Sequence, residues 1–387
     1  MQRKGNIINR KSQMENLVTI GIDMGGSLWA TAVYDWTEGK NNYYALKDKD
    51  SETKEERCFE LVKSLVDCEK KVHVFYEAGR YGYWPARKFQ DLGAEAHVLP
   101  INKLKVIMCG KVIKTDKLDA MFLGGLHPED RLPEVYIPSV AEEGHRDGER
   151  ELARLKKREK GVNSQLLALV ERTELPTPKG HQSSRIWRKL IMEWGRGEIW
   201  AKLPYLMRQR FKSMIEELEF AEKQLVEWEK VIEKQMEADQ KQDTASDTTA
   251  TTIAKMECFK GISDGIARHL VWEIGDFMRF DGHKAFTSYF GITPSPFASG
   301  TMNREQGISK SGRKSLRKMA IEMAWMWYRW QPNSTLVKKW KDRLEQKGRS
   351  RRTAIVAMAR QLLAALWQFV VHGKNIEGAI INKPLAA

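Results

Sequence analysis

Short apolar runs alternate with amphipathic stretches over the first hundred residues. Leu17-Val18-Thr19-Ile20-Gly21-Ile22-Asp23 has strand length and ends on an acid, the pattern of a buried strand. Met24-Gly25-Gly26-Ser27 supplies a turn, and Ala30-Thr31-Ala32-Val33-Tyr34-Asp35 reads as the returning strand of a hairpin. Between Ser51 and Cys68 the apolar positions Phe59, Leu61, Val62 and Leu65 take helical spacing. Val72-His73-Val74-Phe75-Tyr76-Glu77 is another strand closing on an acid, followed by the turn-forming Ala78-Gly79-Arg80-Tyr81-Gly82. A helix from about Tyr83 to Leu92 and a short strand from Ala94 to Leu99 complete the series. This order predicts an α/β layer built on one sheet.

From about Ala141 the pattern becomes helical and highly charged. Phe211, Leu218, Leu225 and Ile232 recur seven residues apart, with Met214, Ala221 and Trp228 between them, until Gln235 breaks the second series. About three heptads of coiled-coil seam result. So short a seam suits packing within one chain as well as pairing of two; pairing is the expectation carried forward. Ala238 to Thr252 has no periodicity and reads as a linker. Phe259-Lys260-Gly261-Ile262-Ser263-Asp264-Gly265 has the layout of a helix-hairpin-helix turn, although any tight helix corner can use glycine. Tyr289 to Gly300 reads as a loop. Two strongly helical stretches follow, one through Trp325, Trp327 and Trp330, whose neighbours mark them as core, and one from Thr353 to Val371.

The resulting organisation is a basic, disordered tail (1–16), an α/β domain (17–140), a helical region with coiled coil (141–237), a linker (238–252) and a basic, mainly helical domain (253–387). Composition adds one strong point. The formal charge is +14, and the stretch from Ser299 to Lys374 alone holds 17 Lys and Arg against 4 Asp and Glu. Such a concentration suits a polyanion, nucleic acid above all. Lys114, Lys260, Arg304, Lys310, Arg313, Arg349, Arg351 and Arg352 are the candidate contacts. No apolar run approaches the ~18 residues of a membrane span, so a cytoplasmic location is expected. Cys58, Cys68, Cys109 and Cys258 show no metal-binding spacing and read as core or incidental thiols.

The candidate chemistry centres on Lys114-Thr115-Asp116-Lys117-Leu118-Asp119-Ala120. On a helix Asp116 and Asp119 share a face; the plainer explanation is that Thr115 caps the helix and Asp116 suits its positive end. Asp23 and Glu77 close strands, where an open sheet presents ligands. Four carboxylates converging there would need cations, and oxygen-only donors favour Mg²⁺ or Mn²⁺. Two such ions can stabilise both oxygens of a phosphoryl transfer.

Here the chain resembles the DEDD transposases of bacterial insertion sequences, RNA-guided recombinases whose N-terminal domain is similar to the RuvC-type branch of the ribonuclease H fold. The matching residues are Gly21-Ile22-Asp23, Glu77 to Gly82, Lys114 to Ala120, Gly261-Ile262, Gly291-Ile292-Thr293-Pro294-Ser295, Ser299-Gly300 and Gly307-Ile308-Ser309-Lys310. The resemblance implies that Asp23, Glu77, Asp116 and Asp119 hold the metal ions and that Ser299 is the nucleophile joining a DNA strand end. It also implies donor and target DNA, a noncoding bridge RNA, and a dimer or tetramer with an active site assembled across protomers.

Ala298 stands where the family commonly has a second serine, Thr301 where it has another small residue, and Gly79 where threonine is frequent. Ala298 removes a competing hydroxyl and sharpens the assignment to Ser299, against the plainer role of a structural serine; Ser295, Ser309 and Ser311 are the other serines to test. Two rivals stand. Gly21 to Ser27 also looks like the first phosphate loop of sugar kinases and actin-like ATPases, though the further phosphate and adenosine motifs of that class are not found in suitable context. The other rival is a catalytically inactive nucleic-acid-binding protein keeping the fold.

Overall fold

A computed structural model describes residues 16–100, 115–130, 132–173, 193, 201–242, 249–299 and 302–382. The N-terminal tail through residue 15, Lys114 and Cys109 lie outside them. The chain divides into two compact units, Met1–Ser139 and Val140–Ala387.

The first unit is built on one mixed sheet of strands β1 (Leu17–Met24), β2 (Trp29–Asp35), β3 (Lys40–Leu46), β4 (Lys71–Glu77) and β5 (Glu95–Leu99), in the order β3-β2-β1-β4-β5. β1 is antiparallel to β2 and parallel to β4, and β5 is parallel to β4. Helices α1 (Lys54–Asp67), α2 (Trp84–Asp91) and α3 (Asp116–Gly124) complete it. Strand alternation divides the side chains between two faces. Val18, Ile20, Ile22, Val72, Val74 and Tyr76 form a core with Cys58, Val62 and Phe89 from α1 and α2. On the other face Phe75 and Leu99 meet Leu123, while Ala30 and Ala32 meet Ala120. Thr53 and Glu56 close a reciprocal capping box that sets the start of α1.

The second unit begins with a long helix pair, α4 (Val140–Val170) and α5 (Tyr205–Gln242). Its seam differs from the sequence expectation. Phe211, Met214 and Leu218 are buried against Val162, Leu166, Leu169 and Val170 of the same chain, and Trp228 Nε1 donates to Gly148 O at 3.0 Å. The heptad residues therefore pair two helices of one chain, because α4 supplies a matching apolar row.

Six further helices follow among the described residues: α6 (Thr249–Glu257), α7 (Asp264–Ile274), α8 (His283–Tyr289), α9 (Lys314–Trp330), α10 (Thr335–Glu345) and α11 (Arg349–His372). The expected linker is largely helix, since α5 runs to Gln242 and α6 starts at Thr249; residues 243–248 lie outside the described ones. One core joins Leu152 of α4 and Ile232 of α5 to α6, α7 and the later helices. The expected loop from Tyr289 to Gly300 also differs: strand β6 (Pro294–Ser299) pairs antiparallel with β7 (Met302–Ile308). Its two prolines obscured the strand, and an edge hairpin tolerates them with an irregular register at Pro294/Pro296.

The stretch Ser350–His372 is long and apolar enough to cross a membrane by length and composition alone. Its Met358, Ala359, Leu362, Leu363 and Leu366 lie in the unit's core. Buried Gln331 donates through Nε2 to the carbonyls of Lys260 (2.8 Å) and Ile380 (2.9 Å), tying the last described residues to the turn before α7.

Candidate carboxylate site

The site begins with two glycines. A Cβ on Gly21 of β1 would overlap Gly124 N and Ala120 O of α3, and one on Gly124 would lie 2.9 Å from Ala32 O. Without side chains between them, helix and sheet backbones touch, and Thr19 Oγ1 donates to Gly124 O. The contact fixes which face of the sheet α3 covers.

Asp23 lies two residues beyond Gly21, so alternation puts it on that face. Phe75 is the ladder partner of Gly21 and packs with Leu123; Glu77, two residues further, falls on the same face. The β1–β4 register ends at Ile22 opposite Tyr76, so Asp23 and Glu77 occupy the next step, at the same edge of two parallel strands. Asp116 stands in the helical row of Ala120 and Gly124, and Asp119 in the row of Leu123. Asp116 is thus placed toward β2 and β3, and Asp119 toward β4. Asp23, Glu77 and Asp119 are half-buried, whereas Asp116 is exposed.

The turns behind this edge are joined. Tyr81, after β4, donates its hydroxyl to Gly25 O, after β1, at 2.9 Å, while Tyr76 donates to Gly82 O at 3.1 Å. Thr115 also caps α3, its Oγ1 accepting from Leu118 N at 3.2 Å. The cap therefore sets the start of the helix that carries Asp116 and Asp119.

Tyr43 of β3 was not identified from sequence. Burial, followed by the charges of Asp116 and Asp23, raises its phenol above the ordinary tyrosine range. Lys117 Nζ stands 5.2 Å from the centre of its ring. Only the polar, non-alternating Lys-Asn-Asn-Tyr-Tyr stretch marks this strand, which is why it escaped notice.

The four acids are an oxygen-only donor set of the type that suits a hard divalent cation such as Mg²⁺, although among the described residues no three of them bring their ligand atoms within 4.8 Å of one another. The donor chemistry thus fits the implied metal.

Ser299 is the last residue of β6, with Met302 as its strand partner; only its backbone is described. The hairpin's base joins two of the motifs named above. Ser309 N donates to Thr293 O at 2.9 Å and Lys310 N to Gly291 O at 3.0 Å, while Ser309 Oγ lies 3.2 Å from Ser311 Oγ. Gly291, at φ +65°, leaves no room for a side chain, since a Cβ would come 2.6 Å from Gly312 N.

The candidate basic contacts divide by environment. Lys310, Arg351 and Arg352 are exposed. Lys260 Nζ stands 5.2 Å above the Trp330 ring and the Arg351 guanidinium 5.0 Å above Trp325. Trp327 is fully buried, but Trp330 is 41% exposed, so the core reading of the tryptophans is corrected at this position. Arg313 pairs with buried Glu273, a structural partner. Side chains of Arg304 and Arg349 lie outside the described set. In the helix-hairpin-helix stretch, Gly261 adopts φ +95°, and a Cβ there would lie 3.1 Å from Trp330 Cβ. A packing requirement thus explains that glycine.

The geometry defines a class first: an α/β unit with an acidic sheet edge, joined to a basic helical unit. Residues 254–339 match the profile described as the Transposase IS116/IS110/IS902 family. The chain is 29% identical over 330 residues, covering 80% of each protein, to a candidate transposase of Sinorhizobium fredii, y4rJ. It is 21% identical over 328 residues to a second from that organism, y4qE, covering 79% of this chain and 77% of the relative. It is also 33% identical over 125 residues to the pilin gene-inverting protein of Moraxella bovis, covering 31% of this chain and 37% of that protein. These similarities are to transposases over about four fifths of the chain and, over residues 254–339, to the IS116/IS110/IS902 family.

Proposed function

We propose that the chain is the recombinase of an insertion sequence, catalysing Mg²⁺-dependent DNA cleavage and exchange through a covalent serine–DNA intermediate. What supports this reading is the β1–β4 register, which carries Asp23 and Glu77 to neighbouring strand ends, with Asp116 and Asp119 in the first turn of the helix packed on that face. The order β3-β2-β1-β4-β5 supports the ribonuclease H-like, RuvC-type assignment. Fixed contacts of Gly21 with α3 and of Gly25 O with Tyr81 weigh against the kinase reading of the Gly21–Ser27 stretch.

In this proposal the four carboxylates hold one or two divalent ions. When bound, the metal neutralises phosphate charge and favours ionisation of a hydroxyl. Ser299 Oγ forms a P–O bond as the phosphodiester's bond to a deoxyribose oxygen breaks; that oxygen leaves with a proton, and the serine proton passes to solvent. The freed hydroxyl of a second strand then attacks the phosphoserine, restoring the serine and joining the exchanged ends. Pairing with a noncoding bridge RNA supplies sequence choice, while Lys260, Lys310, Arg351 and Arg352 contribute backbone contacts. The working form is a dimer or tetramer acting on donor and target DNA in the cytoplasm.

The test supplies purified chain with matching DNA and RNA and isolates protein-linked strand ends. A phosphoserine adduct lost in Ser299→Ala, with strand exchange lost in Asp119→Asn, is the expected result. Persistence of the adduct in Ser299→Ala would overturn the assignment to that residue. Exchange indifferent to both substitutions would overturn the catalytic reading.

A further inference from the structure

Lower on the carboxylate-bearing face of the sheet lies a second cluster of different chemistry. His73 of β4 is the ladder partner of Glu95 of β5, and His97 is the partner of Phe75. Alternation therefore places His73, Glu95 and His97 on one face of two neighbouring strands. Potential ligand atoms of the three lie within 4.8 Å of one another.

We propose that His73, Glu95 and His97 bind one divalent transition-metal ion of the zinc class. His73 Nδ1 is 3.0 Å from His97 Nε2 and 3.6 Å from Glu95 Oε2. A tetrahedral site with metal–ligand bonds of about 2.0–2.1 Å has ligand–ligand edges of about 3.3 Å. One hydrogen on His73 Nδ1 cannot serve His97 and Glu95 equally well; a cation between all three can.

A carboxylate behind the cluster orients one ligand. His97 Nδ1 lies 2.9 Å from Glu134 Oε1, so donation of that N–H leaves Nε2 with its lone pair toward His73. A carboxylate behind an imidazole is the usual arrangement at metal-bound histidine. Phe75 further restrains the His97 ring, with centroids 4.5 Å apart and planes within 15°. Both histidine side chains are 12% exposed, while Glu95 is 73% exposed, giving an ion a route from solvent.

Two imidazoles and one carboxylate favour Zn²⁺, with Co²⁺ as a spectroscopic substitute, and leave a fourth position for water. The donor set differs from the all-oxygen edge. Four residue steps along β4 separate His73 from Glu77, about 13 Å along a strand. The ion would tie edge strand β5 to β4 and, through Glu134, to the segment after α3. This inference stands independently of the proposed function.

The test uses the full-length protein, stripped with chelator and returned to chelator-free buffer. Zn²⁺ is titrated against a chromophoric competitor, and Co²⁺ binding is followed by visible ligand-field absorption. One tight Zn²⁺ per chain and tetrahedral Co²⁺ bands are expected. The His73→Gln/His97→Gln double variant should lower affinity at least about 100-fold and Glu134→Gln about 10-fold or more, while Asp119→Asn should leave the bands intact. Exposed Glu95→Gln provides a fold-preserving check: about 10-fold weaker Zn²⁺ binding with an unchanged metal-free melting temperature supports the site. Unchanged Zn²⁺ affinity in the double histidine variant, or absence of Co²⁺ bands in the wild-type protein, would overturn it and leave a proton-held histidine pair.

Discussion

The acids at the sheet edge and the buried glutamates of the helical unit occupy opposite environments. Asp23, Glu77 and Asp119 are half-buried and Asp116 is exposed, at strand ends and the first turn of a helix. Glu149 and Glu273 are 4% and 2% exposed, and each has cationic partners from its own unit. Arg268 Nε donates to Glu149 Oε1 at 2.7 Å, and His269 Nδ1 lies 2.8 Å from Oε2. Glu273 meets Arg313 and, at 3.6 Å, Arg150. The contrast separates two settings of negative charge: one at a partly exposed sheet edge, where the proposed function places a cation, and one neutralised internally to lock helices.

The sharpest way to break this distinction is Asp119→Asn. Strand exchange should fall about a thousandfold or more, as when an electrostatic contributor to a reaction is removed, while the melting temperature stays level or rises. A large stability loss with exchange retained would make Asp119 structural.

Glu149→Ala should do the opposite, destabilising the helical unit by about 3 kcal/mol in denaturant unfolding, because Arg268 and His269 lose the buried carboxylate they share and Arg268 keeps only Asp264, at 3.0 Å. Smaller, but bearing on both stability and exchange, is Gly21→Ala: forcing a methyl between β1 and α3 should cost about 1–3 kcal/mol and reduce exchange.

A pH series sharpens the Glu149 half. Burial opposes its ionisation, but hydrogen bonds from His269 and Arg268 and their charges outweigh it, leaving its carboxyl below the ordinary glutamate range. The stabilisation is full above the unfolded-state value, about 4.3, and is lost as pH falls through the lower folded value. Wild type and Glu149→Gln should therefore differ most near neutrality and converge in acid. The smallest expected effect is on salt dependence: neutralising Arg349, Arg351 and Arg352 should flatten the slope of log K against log salt by roughly 0.9 for each duplex phosphate that these side chains cease to neutralise. An unchanged slope would put the nucleic-acid surface elsewhere.

Much of the carboxylate edge was legible because β1 and β4 announce themselves as apolar runs ending in acids, and Thr115 marks the start of α3. The register aligning Asp23 with Glu77 was not legible, since pairing of distant strands depends on tertiary packing. Lys40–Leu46 escaped because a polar edge strand lacks alternation. The seam at Phe211 and Leu218 was visible, but a heptad pattern does not name its partner; Val162 and Leu166 do so only in the fold. His73 and His97 were hidden in a similar way, 24 residues apart in sequence and joined by parallel strand register.

The close approach of Gly21 and Gly124 also constrains how this protein can be re-engineered. A helix resting directly on a strand has no compressible side-chain layer with which to adjust its height. Substitutions of Asp116 or Asp119 that lengthen or shorten the donor arm cannot be absorbed by raising or lowering α3. If the proposed cation site is to be retuned for a larger ion, the changes belong at the flexible ends of its side chains, with both glycines retained.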